Sequence, residues 1–165
     1  MGSNMEIYFN EKGESVEKPE NVQPEWRISG YVLIGSGGKT LVVRSVWSDK
    51  WELPGGRIEL GESIKGGILR ECREETGYRV EVGEQPIYVG ENNYYCTDID
   101  RYFKAVLLVY TGNLVGDIQD KETVDPAIKE EIAELQWIDA GELREVDFNP
   151  VFRPAIGRFL ETKEK

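Results

Sequence analysis

Residues 53–78 read LPGGRIELGESIKGGILRECREETGY, and the rest of the chain is organised around this stretch. It opens on a turn at Pro54, Gly55 and Gly56 and closes at Gly77. From Ser63 to Thr76 there is no proline, and all residues but Gly66 and Gly67 favour a helix. Gly77 is a natural stop just past its end. With Glu71 set at zero and an advance of about 100° per residue, Glu74 and Glu75 fall within roughly 100° of it. Ile68, Leu69, Cys72 and Thr76 take the adjoining face. One short helix is thus expected to carry an apolar stripe for a core and, beside it, three carboxylates.

Like charges three and four residues apart cost a helix a few tenths of a kcal/mol each. A hard divalent cation such as Mg²⁺ removes that repulsion, because it takes oxygen ligands. A solvated acidic face is the alternative. Gly66 and Gly67 each cost about 0.8–1 kcal/mol relative to Ala inside a helix. Either the backbone approaches a neighbour closely there, or the helix begins only near residue 68 after an irregular turn.

The full pattern is Gly56, five residues, Glu62, seven residues, then Arg70-Glu71-Cys72-Arg73-Glu74-Glu75-Thr76-Gly77-Tyr78. It resembles the Nudix box, Gly-x5-Glu-x7-Arg-Glu-U-x-Glu-Glu-x-Gly-U with U a bulky apolar residue. Gly56, Glu62, Arg70, Glu71, Glu74, Glu75 and Gly77 all match. Cys72 and Tyr78 depart from the usual aliphatic U residues, and Cys72 still packs as a small hydrophobe.

The resemblance implies a metal-dependent hydrolase that cleaves a diphosphate bond in a nucleoside diphosphate linked to another group. A nucleoside triphosphate or dinucleoside polyphosphate is the expected small-molecule substrate. It implies Mg²⁺, or Mn²⁺ in its place, held by Glu71, Glu74, Glu75 and the Gly55 carbonyl. Glu62 and Arg70 would form a salt bridge bracing the loop against its helix. The general base would be Glu71 or a later carboxylate, with Glu131 preferred over Glu130. The fold implied is α+β, a mixed sheet sandwiched between helices. The same scaffold also serves isoprenyl-diphosphate isomerases, for which Cys96 would be the candidate cysteine, and non-catalytic nucleotide-sensing domains, which have no need of three intact carboxylates.

Composition narrows the rest. The chain has 165 residues, 20 basic and 31 acidic, for a net charge of −11, and no histidine. That length supports one domain with a proper core. So acidic a surface repels polyanions, which argues against duplex DNA or long RNA as partners. No run is long and apolar enough to span a membrane and no leader-like segment stands out, so a cytoplasmic protein is expected. Two cysteines without a histidine fit reduced thiols better than a disulfide framework or a zinc site. The missing histidine also removes Ser-His-Asp and Cys-His chemistry, leaving a carboxylate, lysine, tyrosine or metal-bound hydroxide as base.

Residues 1–26 read as an N-terminal extension and 27–165 as the Nudix domain. In the extension, residues 6–10 and a turn at 11–14 suggest a hairpin. A lone hairpin is marginal in water, so it is expected to pack on this domain or on a second copy, monomer and homodimer both staying open. A disordered tail is the alternative. Residues 26–34 and 40–46 read as strands around a glycine turn, followed by 51–53. Beyond the helix come 78–82, 87–90, a turn at Asn92-Asn93, a break at 97–100 and a long strand at 101–110. Residues 112–131 are expected as a loop beside the site and 133–138 as a strand. A last helix follows Asn149-Pro150, with Pro154 in its first turn.

Three further residues are candidates for the substrate. Arg44 and Arg57 flank the box and suit a phosphate, with a surface ion pair as the alternative. Tyr95, next to Tyr94, lies at a spacing at which some Nudix subfamilies acting on dinucleoside polyphosphates carry a tyrosine. Trp51 reads as core, and Trp47 as either core or a stacking surface for a base.

Overall fold

The computed structural model describes residues 5–164, so the first four residues of the extension and the last residue lie outside the description. The chain begins with the expected hairpin, β1 (Ile7–Phe9) and β2 (Ser15–Glu17). It continues through β3 (Glu25–Ser36), β4 (Lys39–Ser45), β5 (Trp51–Glu52) and β6 (Gly55–Arg57) into helix α1 (Ile64–Thr76). Then come β7 (Val80–Val82), β8 (Tyr88–Cys96) and β9 (Arg101–Leu114). A short helix α2 (Pro126–Glu131), β10 (Ile132–Asp139) and helix α3 (Arg153–Lys163) complete it.

One mixed sheet holds the strands in the order β10-β4-β3-β9-β8-β1-β2. Its spine is the parallel pair β3 and β9, matched from Glu25 with Phe103 to Gly35 with Asn113. Both strands are apolar on both faces, as a strand covered on two sides requires. Val32 and Ile34 pack with Ile68 and Cys72 of α1. Leu33, Leu107 and Val109 pack with Phe152, Ile156 and Phe159 at the other face, under α3. The α+β sandwich expected from the sequence is therefore the fold.

One detail of the sheet positions the site. β3 and β4 pair only near their turn, from Ile34 with Leu41 to Ser36 with Lys39. Beyond it they part, and residues 51–57 fill the wedge: β5 pairs with β4, and β6 pairs with β3 through Ser29–Arg57, Gly30–Gly56 and Tyr31–Gly55. The Pro54 carbonyl accepts from the Val32 amide at 2.9 Å. The Pro-Gly-Gly turn is thereby fixed in mid-sheet, under α1.

Two sequence expectations are corrected. Asn92 and Asn93 do not turn; they sit within β8, paired with Ala105 and Lys104. Residues 112–131 are not one loop, since β9 runs on to Leu114 and α2 occupies 126–131, with Asp125 capping the Ala127 amide and Pro126 opening the first turn. Glu131 thus ends a helix. The hairpin packs on its own domain: Tyr8 is fully buried edge-on against Tyr102, and Glu11 accepts from the Tyr94 hydroxyl and from the amide and hydroxyl of Thr97. Among the described residues no helix is long and apolar enough to cross a membrane.

Candidate active site

Helix α1 is delimited by its own sequence. The Ser63 side chain accepts from the Gly66 amide at 3.0 Å, and Gly77, at φ 72°, donates its N–H to the Arg73 carbonyl. The helix starts at residue 64, so the glycines lie inside it. A Cβ at Gly67 would stand 2.6 Å from Ile58 Cδ1 and 2.7 Å from Glu62 Oε1, a close approach that explains the glycine there. Gly67, Ile68, Cys72 and Thr76 are buried, whereas Leu69, expected on that stripe, is 40 % exposed.

The neighbouring face carries the carboxylates down onto the Pro-Gly-Gly turn. Glu71 lies against Gly56, where an added Cβ would come within 2.9 Å of its Cδ. Glu75 Oε2 accepts from the Gly55 amide at 2.9 Å. Arg70 divides its guanidinium among several partners. It meets Glu62 through two bonds, Nη2 to Oε1 at 2.8 Å and Nε to Oε2 at 3.1 Å. Nη1 donates to Glu71 at 2.9 Å and to Glu74 at 3.1 Å, and Nη2 also reaches the Arg57 carbonyl at 3.1 Å.

The electrostatics separate the acids. Hydrogen bonds from Arg70 hold Glu62 down at about 2. Burial pushes Glu71 above the ordinary carboxylate range, against the pull of Arg70. Glu75 is pushed well above it by burial; the Gly55 amide opposes this, and the charges of Glu71, Glu52 and Glu131 add to it. Glu52, which the sequence reading did not single out, is also raised by burial, and it accepts from Ser48 and Asn149.

Beside Glu75 opens a cavity of about 450 Å³ between the end of α1, α2 and β10. Leu41, Tyr78 and Trp137 form an apolar wall, with the two rings edge to face at 5.9 Å. A volume of that order suits a small molecule of nucleotide size.

A family model described as the NUDIX domain matches residues 25–159. The chain belongs to the Nudix family. It is 32 % identical over 116 residues to a "Putative 8-oxo-dGTP diphosphatase 2" of Mycobacterium tuberculosis, covering 68 % of this chain and 70 % of that protein. A "MutT-like protein" of Streptomyces ambofaciens is 47 % identical over 53 residues, which is 32 % of this chain and only 34 % of that protein. The crystal structure of a MutT protein from Methanosarcina mazei Go1 superposes with a TM-score of 0.66 at 25 % identity, covering 88 % of this chain and all of that one.

The Nudix fold gathers some of the residues singled out in the sequence and leaves others apart. Gly55, Glu62, Arg70, Glu71, Glu74 and Glu75 meet at the turn, Glu131 ends α2 with its carbonyl accepting from the Val46 amide, and Arg57, next to Gly56 on β6, stays exposed. Arg44 does not join them: it bonds Asp49 and stands 3.6 Å from Glu134, the ion-pair alternative. Tyr95 is also elsewhere. Its hydroxyl donates to Asp100, and its strand partner Tyr102 lies six residues from Leu108, the partner of Gly30, or about 20 Å along the sheet. Cys96, one residue further along β8, is equally remote, so the isomerase reading loses its cysteine. Trp51 packs on the α3-side core, and Trp47 is 49 % exposed.

The cavity residues Gln119, Lys121 and Lys129 were not read from the sequence. The Asp125-Pro126 cap was the signal that could have placed the segment bearing them.

Proposed function

We propose that this Nudix hydrolase is a Mg²⁺-dependent pyrophosphohydrolase of nucleoside triphosphates, with Mn²⁺ able to substitute. The observation that carries the reading is Glu75, a half-buried carboxylate beside Glu71 over Gly55 and Gly56, on the wall of a nucleotide-sized cavity. The donors fit a hard cation. All are oxygens, three carboxylates of α1 and the Gly55 carbonyl on β6, and Gly56 leaves beside Glu71 space that a Cβ would fill. Among the described residues no three acidic side chains yet stand at common ligating distance, since Arg70 draws Glu71 and Glu74 one way and the Gly55 amide holds Glu75 another.

In this reading Glu71, Glu74, Glu75 and the Gly55 carbonyl hold the metal. When bound, the ion offsets phosphate charge and lowers the pKa of water. Glu71 or Glu131 accepts the proton of the attacking water, which opens the phosphoanhydride by in-line displacement. Glu62 orients Arg70 and through it Glu71 and Glu74, and Arg57 meets a substrate phosphate. The triphosphate is preferred to a dinucleoside polyphosphate for two reasons. The Mycobacterium relative is named for a nucleoside triphosphate, and Tyr95, the hint toward the dinucleotides, lies about 20 Å away. Two free cysteines agree with a reducing cytoplasm.

The test is a screen of nucleoside triphosphates, dinucleoside polyphosphates, nucleotide sugars, ADP-ribose and NADH, with Mg²⁺ and with chelator. Metal-dependent release of pyrophosphate and a nucleoside monophosphate is expected. Turnover that survives exhaustive chelation would sink the metal assignment, and a preference for the nucleotide sugars would sink the substrate class.

A further inference from the structure

We infer that Lys121 and Lys129 form a cationic clamp for the phosphates of the substrate, and that it makes this chain select a triphosphate tail over a shorter one. The inference rests on the nucleotide reading above and names the feature that sets its specificity.

Both lysines line the same cavity as Glu75, Tyr78 and Trp137. Both are exposed, and no ion pair among the described residues uses either. In a chain of net charge −11, they place two positive charges on a cavity that Glu75 and Glu134 also line. Such a pair suits a polyanion entering a site whose carboxylates would otherwise repel it.

The lysines are also held in place relative to the carboxylates. The Gln119 side chain donates to the Thr76 carbonyl at 2.8 Å, and the Asp120 amide to the Gly77 carbonyl at 2.9 Å. The Asp125 amide donates to the Glu74 carbonyl at 3.0 Å, and the Val46 amide to the Glu131 carbonyl at 2.9 Å. The segment bearing both lysines is thus tied to the last turn of α1, the turn that carries Glu74 and Glu75. A competing role for the lysines is to complement the negative end of the α1 dipole, which would make them matter for stability alone.

The experiment measures the Kd of a non-hydrolysable nucleoside triphosphate, the matching monophosphate and the free nucleoside, in Mg²⁺, for the wild type, Lys121→Met with Lys129→Met, and the double Arg variant. The Met pair should weaken triphosphate binding tenfold or more and monophosphate binding less. It should leave the nucleoside unchanged, lower the salt dependence of triphosphate binding, and raise KM more than it lowers kcat. The Arg pair should restore most of the loss. Equal Kd values for the wild type and the Met pair, or equal losses for all three ligands, would overturn the clamp. Loss of melting temperature with unchanged Kd would assign the lysines to the helix dipole and overturn it too. A wild type that binds the triphosphate in a lysine-dependent way but hydrolyses no phosphoanhydride would instead overturn the assigned reaction and leave the clamp standing.

Discussion

Arg70 divides one guanidinium among three glutamates, and that division governs how the site responds to acid. Its bonds hold Glu62 at about 2 against an ordinary 4.5. For a carboxylate depressed in this way, the stabilisation is complete above 4.5 and is lost as pH falls through 2. Glu62→Gln should therefore be less stable than the wild type near neutrality, and the two should converge as pH drops across that window, read as urea midpoints at each pH. Midpoints that run parallel through the window would deny the ion pair its role. The same variant frees Arg70 to lean on Glu71 and Glu74, so the Mg²⁺ concentration needed for half-maximal rate should rise while the fold persists.

At the scale of the element, α1 is held so closely to its neighbours that helix propensity is overruled. Gly67→Ala gains about 0.8–1 kcal/mol of propensity. It also drives a Cβ to 2.6 Å from Ile58 and 2.7 Å from Glu62. Gly157 in α3 has nothing within 4 Å of its would-be Cβ. Gly157→Ala should thus stabilise the protein by up to about 1 kcal/mol, whereas Gly67→Ala should destabilise it and reduce activity through Glu62. Thermal melts that moved the same way for both would show that packing at Gly67 is loose. This element was legible in the sequence because caps, periodicity and the spacing of the acids all agreed. Its neighbours were less so. Asn92 and Asn93 belong to types depleted in strands, yet pairing with β9 carries them through. Helix α2 has only 6 residues, too few for an apolar period to show. The ion pairs of Arg44 and the distance of Tyr95 depend on strand register, which local sequence does not reveal.

Over the whole molecule, the N-terminal hairpin and the chemistry are kept apart along one sheet. The hairpin is latched by Tyr8 and Glu11 about 20 Å from the carboxylates, counted along the strands. Tyr8→Ala should cost about 3–5 kcal/mol, the range for a buried aromatic, in a denaturant titration. At a temperature where the variant stays folded its kcat should match the wild type, and a kcat loss would mean that the hairpin reaches the site. At mid-sheet the protein holds Glu75 half-buried, where desolvation and the charge of Glu71 make ionisation harder. A carboxyl raised above 4.5 lowers stability as pH climbs from that value toward the raised one, so metal-free protein carries a penalty that a cation or a neutral side chain would lift. The most direct measurement is the melting temperature of the wild type and Glu75→Gln at pH 8, with chelator and with Mg²⁺. In chelator Glu75→Gln should melt above the wild type; Mg²⁺ should raise the wild type and leave the variant nearly unmoved. A variant that melts below the wild type in chelator, or a wild type indifferent to Mg²⁺, would contradict the assignment of these half-buried glutamates to a metal.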